Sequence, residues 1–128
     1  VLEPDDKSPI LPGQAYIAPA NYHLLVEGKQ HFSLATTELV QYSRPSIDVL
    51  FESAADAFGP HLVAVLLSGA NRDGALGMKR VKDRGGLTIV QSLEEASIST
   101  MPEAAINATN IDLVLPLAEI THVLRQLN

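Results

Sequence analysis

Apolar residues fall along this chain in two patterns. Unbroken runs occur at Leu62-Val63-Ala64-Val65-Leu66-Leu67, at Leu87-Thr88-Ile89-Val90 and, interrupted once, at Ile111-Asp112-Leu113-Val114-Leu115. Strands covered on both faces of a parallel sheet have this character, because neither face needs polar residues. Elsewhere the apolar positions recur at helical spacing. Ile47, Leu50, Phe51, Ala54, Ala55 and Phe58 form one such stripe, and Leu117, Ile120, Val123, Leu124 and Leu127 form another at the carboxyl end. Ser46 is placed to accept a backbone N–H at the start of the first helix, and Gly59-Pro60 ends it. Gly74 to Arg84 reads as a helix whose late Lys79, Arg80, Lys82 and Arg84 suit the negative end of the dipole. Gly85-Gly86 closes it, and Pro102 sits in the first turn of a short helix through Ala108.

The amino-terminal third reads differently. Pro4 to Gly13 is turn-rich, Ala15 to Pro19 is a short strand stopped by proline, and Thr36 to Arg44 is loop-like. His23 to Val26 and His31 to Leu34 flank Glu27-Gly28-Lys29-Gln30, which predicts a β-hairpin. Strand, helix and strand from Leu62 to Val90 make a βαβ unit with a right-handed crossover. The expected fold class is α/β: a three-layer, doubly wound, mostly parallel sheet with a β-hairpin at one side. Residues 1–128 form a single domain.

Composition narrows the function classes. Hydrophobic residues make up 46%, the balance of a folded chain rather than a disordered one. The formal net charge of −6 argues against nucleic acid and against a basic membrane-surface helix. No apolar run reaches the roughly 18 residues needed to cross a bilayer. There is no cysteine, hence no disulfide, thiolate nucleophile or thiolate metal site, which fits a reducing cytoplasm. The opening Val1-Leu2-Glu3-Pro4-Asp5-Asp6-Lys7 has no initiator Met and reads as the middle of a longer chain.

Candidate chemistry centres on Leu66-Leu67-Ser68-Gly69-Ala70-Asn71-Arg72-Asp73-Gly74-Ala75-Leu76-Gly77-Met78. Here a buried strand gives way to a helix, the end of the strand where open α/β sheets keep their sites. Asp73 has two compatible readings. It is an N-cap for the helix that follows it, or it is an acid that orients a histidine in a nucleophilic triad. Gly69, Gly74 and Gly77 permit a tight turn or a close backbone approach. They lack both G-x-G-x-x-G and G-K-[ST], so a nucleotide site has little support. His23, His31, His61 and His122 have no metal-site spacing and read as structural, His122 at the surface. No serine lies in a G-x-S-x-G elbow; Ser68 faces the candidate loop without a histidine placed to activate it. Met101-Pro102 is ordinary helix initiation, or it carries a loop over the strand ends.

Several segments together resemble one family. Leu11-Pro12-Gly13-Gln14-Ala15-Tyr16-Ile17-Ala18-Pro19 with His23 looks like its P-G-x-x-Y-I-A-P-x-x-x-H segment, and Arg44-Pro45-Ser46-Ile47-Asp48-Val49-Leu50-Phe51 like its R-P-S-[VI]-D-x-L-F helix start. Ser68 to Met78 is similar to its [TS]-G-x-x-x-D-G-x-x-G-[ML] loop, and Gly85-Gly86, Gln91 and Met101-Pro102-Glu103-Ala104-Ala105-Ile106 continue the match in order. The family is the CheB-type chemotaxis protein-glutamate methylesterase, in its carboxyl-terminal catalytic domain, and the resemblance runs from about Leu11 to Leu127. It implies a cytoplasmic serine hydrolase, without cofactor or metal, that removes methyl groups from glutamates on chemoreceptor helices and in many members deamidates glutamines. Asp73 matches the acid of the family's Ser-His-Asp triad. The family's serine and histidine segments, G-x-S-[TA]-G-G and Q-H-[ML], are not among these residues. The chain is therefore expected to be the carboxyl two thirds of a catalytic domain, inactive alone, with the receiver domain that many members carry also outside it. Ala70-Asn71-Arg72 departs from the Met-Gly-Asn often found there, which alters the wall beside the acid. The rival expectation is a non-catalytic receptor- or partner-binding module of the same fold.

Overall fold

The structure, a computed structural model, describes residues 1–28 and 30–127. Strands β1 (His23–Glu27) and β2 (His31–Ala35) pair antiparallel, with Leu25 opposite Ser33. This is the expected hairpin; the Lys29 position of its connection lies outside the described residues. Helix α1 (Ile47–Phe58) follows, then a single 3-10 turn over Gly59–His61. Next come β3 (Val63–Leu66), α2 (Ala75–Asp83), β4 (Leu87–Gln91), α3 (Thr100–Ala108), β5 (Leu113–Leu115) and α4 (Leu117–Arg125).

The second sheet runs β3-β4-β5, both pairings parallel, and helices flank it, as expected for an α/β fold. Successive residues of a strand face opposite sides. Thr88, Ile89 and Val90 of the central strand are each fully buried, so both faces of β4 are covered. Parallel register puts Ala64 with Thr88 and Leu66 with Val90 on one face. That face meets Ala55 of α1, Met78 and Val81 of α2 and Ala105 of α3 in one buried cluster. Among the described residues no strand pairs with the outer edge of β3.

The hairpin is tied to this core through α1. Ser53 Oγ accepts the Val26 N–H at 2.9 Å and donates to the Leu50 carbonyl at 2.9 Å. The expected strand over Ala15–Pro19 does not form. Tyr16 makes one parallel bridge with Leu2. Extending that ladder calls for N–H groups at Pro4 and Pro19, and proline has none. Helix α3 starts two residues before Pro102, which stays within the first turn where no N–H is needed.

The contact between α1 and α2 is made by a carboxylate. Asp48, in the first turn of α1, sends Oδ1 across to accept the Gly74 N–H at 2.9 Å and the Gly77 N–H at 2.7 Å. It thereby caps α2, whose N-cap Gly74 lies 26 residues later in the chain. Close approach is possible because Gly77 has no side chain: a Cβ there would lie 2.6 Å from Phe51 Cβ and 3.2 Å from Asp48 Cα. Asp48 Oδ2 is buried and has no hydrogen-bond partner among the described residues. Burial pushes the Asp48 carboxyl above its ordinary 3.8, and the nearby Asp73 charge adds to the rise against the lowering effect of the two N–H bonds.

Two outcomes follow for the stability of the chain. Alanine at position 77 gains up to about 1 kcal/mol of helix propensity, but overpacking costs about 1–3 kcal/mol. Gly77→Ala should therefore lower the unfolding free energy in urea titration; a rise would mean that α1 and α2 separate freely. Asp48 holds its proton more tightly folded than unfolded, so its contribution to stability falls as pH rises from its ordinary 3.8 through the raised folded value. Asp48→Asn removes that dependence while keeping an oxygen for Gly74 and Gly77. The stability of the parent chain relative to Asp48→Asn should fall as pH rises above the ordinary 3.8, in denaturant melts at several pH values. Asp48→Ala, which strands two buried N–H groups, should be weaker by about 1–3 kcal/mol per group at every pH.

Candidate active site

Strand β3 ends at Leu66, and the chain turns through Leu67–Gly74 before α2 begins. Asn71 Oδ1 accepts the Asp73 N–H at 3.0 Å, a local side-chain turn that fixes the approach to the acid. The Ala75 N–H donates to the Arg72 carbonyl at 3.2 Å. Gly74 completes the turn at φ 103°, where an L side chain is strained, and a Cβ there would lie 2.7 Å from Leu66 Cδ1.

Asp73 is 3% exposed. Its side chain is a cap, but for a different helix from the one expected. The amino end of α2 has no side-chain acceptor from Asp73; the carboxylate turns instead to the start of α1. Oδ2 accepts the Ile47 N–H at 2.7 Å, and Oδ1 accepts the Asp48 N–H at 2.9 Å and the Ser46 hydroxyl at 2.7 Å. The cause is positional. The free N–H groups and positive dipole end of α1 face the loop, while the corresponding groups of α2 are taken by Asp48. Ser46 is the N-cap the sequence predicts, and its hydroxyl also receives the Val49 N–H at 3.4 Å.

A carboxylate has about four acceptor positions. Two on Oδ1 and one on Oδ2 are occupied by these donors. One position on Oδ2 is left for a further N–H or O–H. No histidine of the described residues supplies it. His23 is buried in β1 with Nε2 on the Glu38 carbonyl at 2.8 Å and Nδ1 unpartnered. His31, His61 and His122 are exposed.

A second loop closes over the same strand ends. Ser68 Oγ exchanges bonds with the Ile98 backbone, donating at 3.2 Å and accepting at 3.0 Å. Gly69 N–H reaches the Ile98 carbonyl at 3.1 Å, and Met101 N–H the Gly69 carbonyl at 3.0 Å. The Met101 side chain lies on Gly69, with Cε 2.5 Å from where a Cβ would be. The Met101-Pro102 segment is thus the one that brings a loop over the sheet end. Gln91, at the end of β4, accepts the Ser68 N–H at 2.9 Å and donates to Glu95 at 3.1 Å, and Glu95 accepts the Leu117 N–H of α4 at 2.6 Å. The three glycines of the Asp73 loop are therefore used for contacts within the protein, with Met101, Leu66 and Phe51 in the space they leave. Among the described residues no three His, Asp or Glu side chains group to hold a metal.

Asp48, Gln91 and Glu95 belong to this constellation although the residue pattern assigned them no role. Asp48 looked like any first-turn acid, because its partners lie 26 and 29 residues away in the chain.

Comparison with known proteins agrees with this architecture. The CheB methylesterase family model matches residues 1–124. A Leptospira interrogans relative that carries the name protein-glutamate methylesterase/protein-glutamine glutaminase is 46% identical over all of this chain and 66% of its own length. Protein-glutamate methylesterase FrzG of Myxococcus xanthus is 39% identical over 98% of the chain and 38% of its own length. The crystal structure of the Thermotoga maritima CheB methylesterase catalytic domain superposes with a TM-score of 0.92 at 31% identity, over 98% of this chain and 68% of that one. The chain thus spans about two thirds of the Leptospira relative and under two fifths of FrzG. It belongs to the CheB methylesterase family.

Proposed function

We propose that this chain supplies the acid of a Ser-His-Asp site that hydrolyses glutamate γ-methyl esters on chemoreceptors and deamidates glutamines there. Asp73 is that acid. The serine and histidine come from residues outside this chain, in the remaining third of the catalytic domain. One observation carries the reading: Asp73 is a buried carboxylate held by three donors, with one acceptor position on Oδ2 still open. The names of its relatives point to the same substrate. The longer relatives have room for a receiver domain besides, and the setting is cytoplasmic, facing the receptor's cytoplasmic helices.

Each residue's work follows from its position. The serine hydroxyl attacks the ester carbonyl while the histidine takes its proton and delivers it to methanol. Water then opens the acyl-enzyme by the same route, and backbone N–H groups hold the oxyanion. Asp73 Oδ2 receives the other imidazole N–H, which fixes the tautomer and stabilises the imidazolium. Ser46, Ile47 and Asp48 hold that oxygen still, so orientation costs nothing at the moment of reaction. No step calls for a cofactor or metal.

A second reading has its own support. Capping α1 accounts for the burial of Asp73 by itself, as a non-catalytic receptor-binding module would require. Turnover separates the two. The protein expressed from its complete gene should release methanol from methylated receptor, and residues 1–128 alone should release none. Asp73→Asn in the complete protein should stay folded with a lowered denaturation midpoint, because an NH2 group then competes with the donors of α1. Its kcat should fall by up to about 10⁴. A folded variant with kcat within tenfold of the parent would leave Asp73 as a cap only.

A further inference from the structure

The loop that carries Asp73 also carries a cation without a partner. Lys7 pairs with Glu27, Lys79 with Asp83, Arg80 with Glu52 and Asp56, Lys82 with Asp112 and Arg84 with Asp56. Arg44 donates to the carbonyls of Thr36 and Thr37. Arg72 is exposed and makes no side-chain hydrogen bond or ion pair with any described residue, although carboxylates outnumber cations in this chain by 15 to 9. Arg125 alone shares that state among the described cations, and it sits in the last turn of α4, where the dipole accounts for it. Arg72 lies ahead of the amino end of α2, where the dipole gives a cation no such support.

Its setting is a groove of about 580 Å³, lined by Arg72, Gln41, Asp48, Leu76, Thr100 and Glu103 among others. Asp73 does not line the groove but adjoins it, since Asp48 N–H is bonded to Asp73 Oδ1 and Arg72 is the residue before Asp73. Glu103, in the first turn of α3, also makes no side-chain bond with a described residue, so the groove carries a free positive charge and a free negative one. Beside it the chain makes a tight turn: Val40 and Ser43 exchange backbone bonds at 3.0 and 2.9 Å, and Gln41 and Tyr42 take φ 50° and 63°. Such a pair of left-handed non-glycine residues is strained and gathers at functional sites. The turn leaves the Tyr42 ring 96% exposed next to the groove.

We infer that this groove is the subsite for substrate residues flanking the scissile glutamate, and that Arg72 selects substrates with a carboxylate side chain there. The inference rests on the function proposed above for Asp73. A guanidinium matches a carboxylate in shape and charge, and side-chain carboxylates are the anions a polypeptide substrate brings. Glu103 repels the same group, so the two charges fix the direction in which the substrate lies. The Arg72 backbone is held by the Ala75 N–H and by the neighbouring cap, and only its side chain is left to adapt.

The test uses the protein from its complete gene and two synthetic peptides. Each peptide has one glutamate γ-methyl ester, flanked within four residues on both sides by glutamates in one and by lysines in the other. The parent protein should show a KM at least about fivefold lower for the glutamate-flanked peptide. The gap should narrow in ~1 M salt, where screening reaches within about 3 Å. Arg72→Glu, an exposed change that leaves the fold alone, should reverse the preference with each kcat within about threefold of the parent's. An unchanged preference, or a loss confined to kcat, overturns the Arg72 assignment. If Asp73→Asn retains turnover, the failure is that of the underlying site. A dead Asp73→Asn beside an unchanged preference in Arg72→Glu rejects the groove alone.

Discussion

Two helices in this protein exchange caps. Asp48 leaves α1 to satisfy the first N–H groups of α2, and Asp73 leaves the loop before α2 to satisfy those of α1. The amino end of a helix needs acceptors and favours negative charge, and here each is served by a residue remote in sequence. The exchange brings two carboxylates into one buried region, and the cost appears on Asp48, whose proton is held more firmly than usual. In return, the carboxylate of the candidate acid cannot rotate without breaking bonds to three donors.

The sheet supplies the other half of that rigidity. Because β4 is buried on both faces, the ends of β3 and β4 have a fixed separation. Gln91 fastens the first residues of the Asp73 loop to the end of β4, and Ile98 to Met101 fasten the same residues to the next loop. The hairpin contributes at a distance, by holding α1 through Ser53. Asp73 is thus set by α1 from one side and by strand ends from the other, which is the kind of support that the role proposed for it requires.

Much of this was legible in the residues. Unbroken apolar runs marked β3 and β4, because a strand covered on both sides has little room for polar groups. Ser46 marked the start of α1, since capping is local, and the order of the motifs marked the family. What local pattern could not carry was any interaction across the fold. Asp73 was readable as a cap, but its helix was misassigned, because a carboxylate before a glycine points by default to the next helix. Asp48 passed as a first-turn acid for the same reason. The Ala15–Pro19 strand was an error of another kind: the segment had β-like residues, but the prolines opposite and within it withheld the donors for a ladder.

The outer edge of β3 leaves the sheet open to growth on one side. Its row of backbone groups meets no other described strand, and Leu67 just beyond it is 42% exposed. Parallel strands are normally covered on both faces, while the edge of a sheet is a place where a further strand can pair. A strand laid along that rim would extend the parallel sheet without disturbing the buried cluster behind β3 and β4.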